Sequence, residues 1–477
     1  MSDPLQDRDA AGPALRQVLE AAEPYLDSLA DRPVFDAGTR PLLAELGGPL
    51  PDKGDGTAAA IERLLRVGVA TATASSGPRF FHFVTGGTTP AALAADWTAG
   101  LLDQNAFARV SSELATEVET TVLDWLRDLF GLPRGWGGAL VGSATFANFT
   151  SLACATHWWG QHHGIDTVAA GLAGLPRMPV LSGGYVHPSA RKALQMLGHG
   201  RDAVEVFARD AVGRVDLPVL ERRLSSLDGP AVLIANAGEV NAGDFDPVDA
   251  LADLAGRYGA WLHVDGAFGL FAALSPSTAH LVRGIERADS IAADAHKWLN
   301  VPYESGIALI REPDRLGAAF GMPGAAYLPG PDDPAGGYGL LGPESSRRAR
   351  ALPIWATLAA YGRVGHRAMV ERHVDLALRL AERVDAAPEL ELLAEPSLCI
   401  VCFRARPHGV PEDELDELNR ALGAALLADG RVFAGTTVYG GRVALRPAIV
   451  NWRTTEDDVD LFVEVVRELT AGLARPR

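Results

Sequence analysis

Lysine is scarce in this chain. Lys53, Lys192 and Lys297 are present, and every other one of the 43 basic residues is an arginine. Arginine stays protonated and cannot form an imine, so covalent amine chemistry has three candidates. Cysteine is equally sparse. Cys154, Cys399 and Cys402 make an odd count, which argues against a disulfide framework. Cys399 and Cys402 form a CxxC (CIVC) inside an apolar run that alternates like a buried strand, and the further pair of cysteines or histidines needed for a zinc site is missing nearby. Positive charge is outweighed, 43 Lys+Arg against 60 Asp+Glu, for a net charge of −17. Such a chain has no overall field drawing it to nucleic-acid phosphates, although a local basic pocket for one small anion is compatible with it. No uninterrupted apolar run is long enough to span a bilayer; LADLAGRYGAWLHVDGAFGLFAAL is broken by charges and glycines. The opening MSDPLQDRDA carries acids and lacks the apolar segment of a secretory signal. The expectation is a cytoplasmic chain with neither nucleic-acid nor membrane partners.

What is present is an ordinary globular composition: 477 residues, 48% hydrophobic and 22% charged, enough for two or three structural units. Residues 1–78 read as helical, broken at Pro33, Pro41 and the PLPDKGDG turn, and too thin to fold alone. Beyond them, MPVLSG, AVEVFA, AVLIANAG, AWLHVDG, SIAADAH and GIALIR are short apolar runs that read as buried strands. Helical stretches such as SARKALQMLG and PVDALADLAGRYG lie between them. This alternation predicts a mostly parallel sheet covered on both faces, with ligands bound beyond the carboxyl ends of its strands. Residues 321–344 are rich in glycine and proline and read as a long functional loop. A helix resumes near residue 350. LCIVCFRA, RVFAGTTVYG and GRVALRPAI then predict two or three strands of a small α+β domain.

Chemistry-bearing residues sit where these strands end. HVDGAFG leaves Asp265 at a strand terminus. A buried carboxylate needs a partner, and a protonated pyridine nitrogen is one; a capping or salt-bridged aspartate is the alternative. SIAADAH runs into Lys297, where partial burial suits an amine that forms a Schiff base. Lys53 in a polar turn and Lys192 on a helix compete poorly. GALVG leads into Ser143, Ala144 and Thr145 at a helix start, where free N–H groups and the helix dipole favour a phosphate, although Ser/Thr caps are common. His187 in GGYVHPSARKAL follows a strand and is placed either to stack on a cofactor ring or to cap its helix. Glu239, Asn241, Asp244 and Asp246 cluster after another strand, either orienting Asp265 or a ring hydroxyl, or forming a turn.

From about residue 60 onward, the order of SSELATEVETTVLDWL, GSAT, HPSARKA, HVDGAFG, DAHKWLN and SRRARALPIWATLAAYG resembles the group II pyridoxal-phosphate-dependent amino-acid decarboxylases, the aromatic-amino-acid and glutamate decarboxylase-like family. The resemblance implies an α/β protein of pyridoxal-phosphate fold type I, aspartate-aminotransferase-like. Residues 1–78 would pack on the partner of a homodimer with a shared active site, 79–350 would form the large cofactor-binding domain, and 351–477 the small C-terminal domain. It implies pyridoxal 5'-phosphate as cofactor and an L-amino acid as substrate, released as amine and carbon dioxide. The alternatives within the same cofactor class are oxidative deamination to an aldehyde and aldolase-type cleavage.

By that resemblance Lys297 looks like the cofactor-bearing lysine, Asp265 the pyridinium partner, Ala267 the small residue under the ring, and His187 the histidine on its other face. Ser143, Ala144 and Thr145 fall at the phosphate site, with Asp294 and His296 near it and Asn241 also near the cofactor. Tyr327 is similar to the loop tyrosine that protonates the carbanion, with Tyr338 as a rival. His82, Thr85, Phe107 and Arg446 are pocket candidates. Gln104 and Asn105 stand where aromatic-amino-acid decarboxylases are more apolar, so a neighbouring subunit would bring amide groups to the pocket, which weakens the case for a purely aromatic substrate and admits a polar or acidic side chain.

Overall fold

The computed structural model describes residues 3–322 and 337–474. Seven strands form the larger sheet: β1 (Gly137–Val141), β2 (Val180–Ser182), β3 (Val204–Val206), β4 (Val232–Asn236), β5 (Trp261–Asp265), β6 (Ser290–Asp294) and β7 (Gly306–Ile310). Their order is β1-β7-β6-β5-β4-β2-β3. Strands β3 to β6 pair in parallel through β2, while β7 runs antiparallel to both β1 and β6. The sheet is therefore mostly parallel, as expected.

The unbroken apolar runs follow from burial on two faces. Leu233 and Ala235 of β4 join Leu262 and Val264 of β5 in one core, with Leu251 and Leu254 of helix Val248–Tyr258. The alternate residues Val232 and Ile234 join Trp261 in a second core on the opposite face, with Leu152 and Trp159 of helix Ala144–His162. Side chains two apart share a face, so every residue of these strands meets a helix.

The second sheet is antiparallel, in order β10-β11-β9-β8, from β8 (Leu390–Leu392), β9 (Phe403–Ala405), β10 (Thr436–Tyr439) and β11 (Arg442–Leu445). Its core gathers Leu376 and Leu380 of the long helix Ala351–Asp385 with Phe403, Leu445, Leu422 and Phe462. That helix is interrupted at Gly362, where φ is 58°. Phe81, near the start of the proposed large domain, packs into this same small-domain core.

The structure differs from expectation in LCIVCFRA, of which only Phe403–Ala405 is regular strand. Leu398–Cys402 makes irregular bonds to the Pro447 segment instead, with Val401 N donating to the Pro447 carbonyl at 3.1 Å. Pro447 has no N–H to return, so a ladder cannot continue there. Strand β8 was not anticipated, because ELEL alternates too briefly to register. The three cysteines are buried and free, and no metal-binding cluster occurs among the described residues. Nor is any described helix long and apolar enough to cross a membrane.

The N-terminal helices Ala11–Ser28 and Thr57–Thr71 bury almost nothing: no residue of the first and Val67 alone of the second. Leu15, Leu19 and Leu64 are about half exposed. One backbone bond, Val34 N to the Gly430 carbonyl at 2.8 Å, ties the linking segment to the small domain.

A buried ion pair fastens the chain beyond residue 337 to the large sheet. Arg347 donates to Glu119 through Nη1 at 3.0 Å and Nη2 at 2.9 Å, and also to the Leu140 carbonyl, while Leu140 N donates back to Glu119 at 3.1 Å. Removing one partner strands a buried charge. Arg347→Met is expected to cost about 3–5 kcal/mol in urea denaturation, and adding Glu119→Leu to recover more than half of that loss. A single-variant loss below about 1 kcal/mol would contradict the burial argument.

Candidate active site

A cavity of about 580 Å³ opens at the carboxyl ends of the parallel strands. Asp265 ends β5, Asp294 ends β6 and Asn236 ends β4, and all three line it. Gly142 to Thr145, between β1 and helix Ala144–His162, form another wall. Parallel register between β4, β5 and β6 sets these termini side by side.

Asp265 is 5% exposed, yet it has no ion-pair partner among the described residues. Its donors are neutral: Asn148 Nδ2 to Oδ2 at 3.0 Å and the Ala267 backbone to Oδ1 at 3.2 Å, with Ser189 Oγ 3.5 Å from Oδ2. A buried carboxylate solvated by dipoles alone is a place for an incoming cation.

Lys297 sits in the turn after β6, its side chain 19% exposed. Its Nζ lies 3.5 Å from Asp294 Oδ2 and 5.6 Å from the centre of the Phe268 ring. Lys53 and Lys192 are both on the open surface. The turn is clamped on each side. Trp298 Nε1 donates to His373 Nδ1 at 2.9 Å. Asn300, at φ 54°, donates to the Trp298 and Val450 carbonyls at 2.9 and 3.0 Å and accepts from Trp452 N at 2.9 Å. Gly86 passes so close that a Cβ there would lie 1.7 Å from the Lys297 carbonyl oxygen.

His187 meets one of its two expected capacities, the helix cap, and it also faces the cavity. It caps helix Pro188–Met196, its Nδ1 accepting from Ser189 N at 3.2 Å. Burial lowers its pKa, so the ring is neutral near pH 7. His296 lines the cavity 4.4 Å from the Tyr303 ring, its pKa likewise lowered by burial, with Nδ1 unpartnered. Ala144 N, at the helix start, donates to Asp294 Oδ1 at 2.5 Å. Arg446 is 5% exposed and lines the cavity with Nε and Nη2 free of partners. Ala267, Ser143 and Thr145 complete the expected residues brought to this cavity.

Other expected residues lie elsewhere. Asn241 is a correction: its N–H donates to Glu239 Oε1 at 2.8 Å and its side-chain oxygen takes the Thr437 hydroxyl, so it builds the turn and does not face the cavity. Of that cluster only Glu239 lines the cavity, its pKa raised by burial. Gln104 and Asn105 do not line the cavity of their own chain, and each side-chain oxygen already has a partner. Gln104 Oε1 accepts from Ser112 Oγ at 2.7 Å and Asn105 Oδ1 accepts from Arg347 N at 3.1 Å. Phe107 packs on Ala108 and Leu340, away from the cavity of its own chain. His82 stands behind the wall, its ring 3.7 Å from that of Phe83. Thr85 holds a cavity residue, its Oγ1 being 3.1 Å from the Tyr303 hydroxyl. Tyr338 sits outside the cavity, its hydroxyl 2.9 Å from Thr120 Oγ1 and its pKa pushed up to about 12 by burial. Tyr327 lies outside the described residues.

Several liners escaped the sequence reading. Phe83 and Val84 take φ of 63° and 103°. For a β-branched valine that is a strained backbone, of the kind that collects at binding sites. Tyr303 and Glu304 follow Lys297 by six and seven residues and carry no signal of their own. Asn148, which stands behind the cavity and does not line it, lies one helical turn beyond Ala144 on the face toward Asp265.

Residues 48–406 match the family described as the pyridoxal-dependent decarboxylase conserved domain. An L-2,4-diaminobutyrate decarboxylase of Rhizobium meliloti (strain 1021) is 33% identical over 96% of this chain and 93% of its own. An aromatic-L-amino-acid decarboxylase of Bacillus atrophaeus is 27% identical over 93% of this chain and 92% of its own. Among solved structures, Oryza sativa TDC with PLP and tryptamine superposes with a TM-score of 0.89 at 26% identity, covering 98% of this chain and 99% of that one. Mouse CSAD does so at 0.87 and 25%, covering 97% and 99%.

Two buried histidines around this site predict the acid sensitivity of the fold. Burial lowers the pKa of His263 to about 4 and that of His373 to about 3. Both lie below the unfolded value of about 6.5, so the unfolded chain binds more protons in between. Their contribution is whole above about pH 6.5 and is lost as pH falls toward about 4. The melting temperature is expected to drop between those limits. A His373→Gln chain, less stable at neutral pH, should lose less on acidification. Parallel losses in the two proteins would contradict the assignment.

Proposed function

The chain belongs to the pyridoxal-dependent decarboxylases and acts as a pyridoxal-5'-phosphate-dependent carboxy-lyase, converting an L-amino acid to an amine and carbon dioxide; we propose the following division of labour among its residues. The observation that carries it is the buried Asp265, without a cation of its own, in the same cavity as Lys297.

The cavity fits the cofactor. A protonated pyridine nitrogen answers the need of Asp265 for a cation. His296 Nδ1, without a partner, and the hydroxyls of Ser143 and Thr145 at a helix start suit a phosphate. When bound, the cofactor supplies a cationic ring into which the electrons of the breaking Cα–carboxylate bond are drawn. Lys297 provides the amine that anchors it. Asp265 holds the proton on the ring nitrogen. His187, neutral through burial, and the small Ala267, both lining the cavity, would hold the ring between them. Arg446 offers unpartnered N–H donors to the carboxylate of the substrate. Tyr327 delivers the proton to Cα.

The active unit is a homodimer with residues 1–78 packed on the partner. The half-exposed Leu15, Leu19 and Leu64, on helices whose one buried residue is Val67, support this reading. Light scattering should give twice the chain mass.

The test is product analysis of the cofactor-loaded protein against aromatic, acidic and diamino L-amino acids, a range that spans the names of the relatives. Amine and carbon dioxide in equal amounts are expected, and aldehyde with ammonia would overturn the division of labour. Lys297→Ala should abolish both turnover and the covalent cofactor absorbance. Arg446→Met should raise KM by roughly 10- to 100-fold with a smaller effect on kcat.

A further inference from the structure

Behind Asp265 lies a line of buried polar groups whose donors and acceptors can be assigned without ambiguity. Trp261, Ser290, His263 and Asn148 are each 2% exposed or less. Trp261 Nε1 lies 3.0 Å from Ser290 Oγ, which lies 2.9 Å from His263 Nδ1. His263 Nε2 lies 2.7 Å from Asn148 Oδ1. Asn148 Nδ2 lies 3.0 Å from Asp265 Oδ2 and also 3.0 Å from Ser189 Oγ. Ser189 Oγ is in turn 2.7 Å from His187 Nδ1.

The two ends of the line decide its direction. An indole N–H only donates, and an ionised carboxylate only accepts. Asn148 must therefore turn its NH2 toward Asp265, which leaves its carbonyl oxygen to accept from His263. His263 must then carry its proton on Nε2, and its bare Nδ1 accepts the Ser290 hydroxyl. That hydroxyl is free to donate because its oxygen accepts from Trp261. Every group in the line has one role and one partner on each side.

The line branches at Asn148, whose second N–H goes to Ser189 Oγ. His187 Nδ1 accepts the Ser189 backbone N–H and is therefore bare, and the one Ser189 hydroxyl proton goes to it at 2.7 Å in preference to Asp265 Oδ2 at 3.5 Å. The proton of a neutral His187 is thereby placed on Nε2.

We propose that Asn148 is a positioning residue that governs both faces of the cofactor site at once, holding the Asp265 carboxylate in place through one N–H and fixing the tautomer of His187, by way of Ser189, through the other, with its own orientation set by the Trp261–Ser290–His263 line. This rests on the reading of Asp265 and His187 as the residues that meet the cofactor ring. A chain of hydrogen bonds pointing one way polarises each member in turn, so the groups remote from the cavity contribute to the carboxylate.

Two substitutions test it. Asn148→Asp keeps the shape but puts a second carboxylate against Asp265, and two such groups share one proton. Ser290→Ala cuts the line at its far end with little change in volume. Cofactor affinity is measured by equilibrium dialysis, the bound chromophore by its absorbance bands, and turnover by kcat and KM separately. Asn148→Asp should weaken cofactor binding and lower kcat by about tenfold or more, change the band ratio, and move KM less than about threefold. Ser290→Ala should shift the same three quantities in the same direction by roughly two- to fivefold.

A folded Asn148→Asp protein with wild-type affinity and bands would overturn the proposal. Should that protein not fold, a Ser290→Ala protein with wild-type values overturns it by itself. Asp265→Ala is the control for the underlying reading. If it loses the cofactor while the other two behave as wild type, the proposal alone fails; if it too binds normally, the reading of Asp265 fails.

Discussion

An ionised carboxylate withdrawn from water is among the costliest groups a fold can hold, and here the site is arranged around one. Asp265 stands at the end of a central strand with helices on both sides of the sheet. Dipoles that donate to it lower the cost of its charge without cancelling it. The fold thereby keeps a standing demand for a cation in the cavity. Parallel pairing of β4, β5 and β6 brings Asn236, Asp265 and Asp294 into line, and the turn after β6 delivers Lys297 to the same opening.

The position of Lys297 depends on both halves of the molecule. Asn300 and His373 lock the turn that follows it to the Val450–Trp452 segment, which leads out of the small sheet. Gly86 brings a third segment against its carbonyl. The strained Phe83–Val84 backbone belongs to that third segment and stays in place because both ends are held: Phe81 N bonds to the Phe433 carbonyl, and Gly86 N to that of His296. Small-domain packing and cofactor-site geometry are thus mechanically linked, although they rest on separate hydrophobic cores.

What was legible in the sequence follows from this physics. Strands buried on both faces must be apolar throughout, so MPVLSG, AVLIANAG and SIAADAH declared themselves, and the polar residues at their ends marked the site. Lys297 stood out because lysine is so rare. The reversed direction of β7 left no trace, since GIALIR is equally apolar whichever way it runs. Asn241 misled because an amide in a loop looks free until its partner, here a threonine hydroxyl, is seen. Asn148 was invisible for the converse reason. A lone asparagine in a helix is commonplace, and its significance lies in what stands 115 and 117 residues away.

The choice of a neutral partner for Asp265 has a consequence for how tightly the site holds its cofactor. Had Asn148 been an arginine or lysine, the carboxylate would be paired and its need for a second cation largely met. An amide behaves differently. It stabilises the charged form by hydrogen bonding yet adds no positive charge, so the full electrostatic attraction remains for a ring nitrogen. That attraction acts where water is excluded and the effective dielectric is low. The same amide cannot rotate to offer its oxygen without placing two acceptors against each other, and His263 on the far side enforces this. On the proposed reading, a single uncharged side chain therefore keeps the carboxylate pointed and unpaired, two conditions that a proton-holding partner of a pyridine must satisfy.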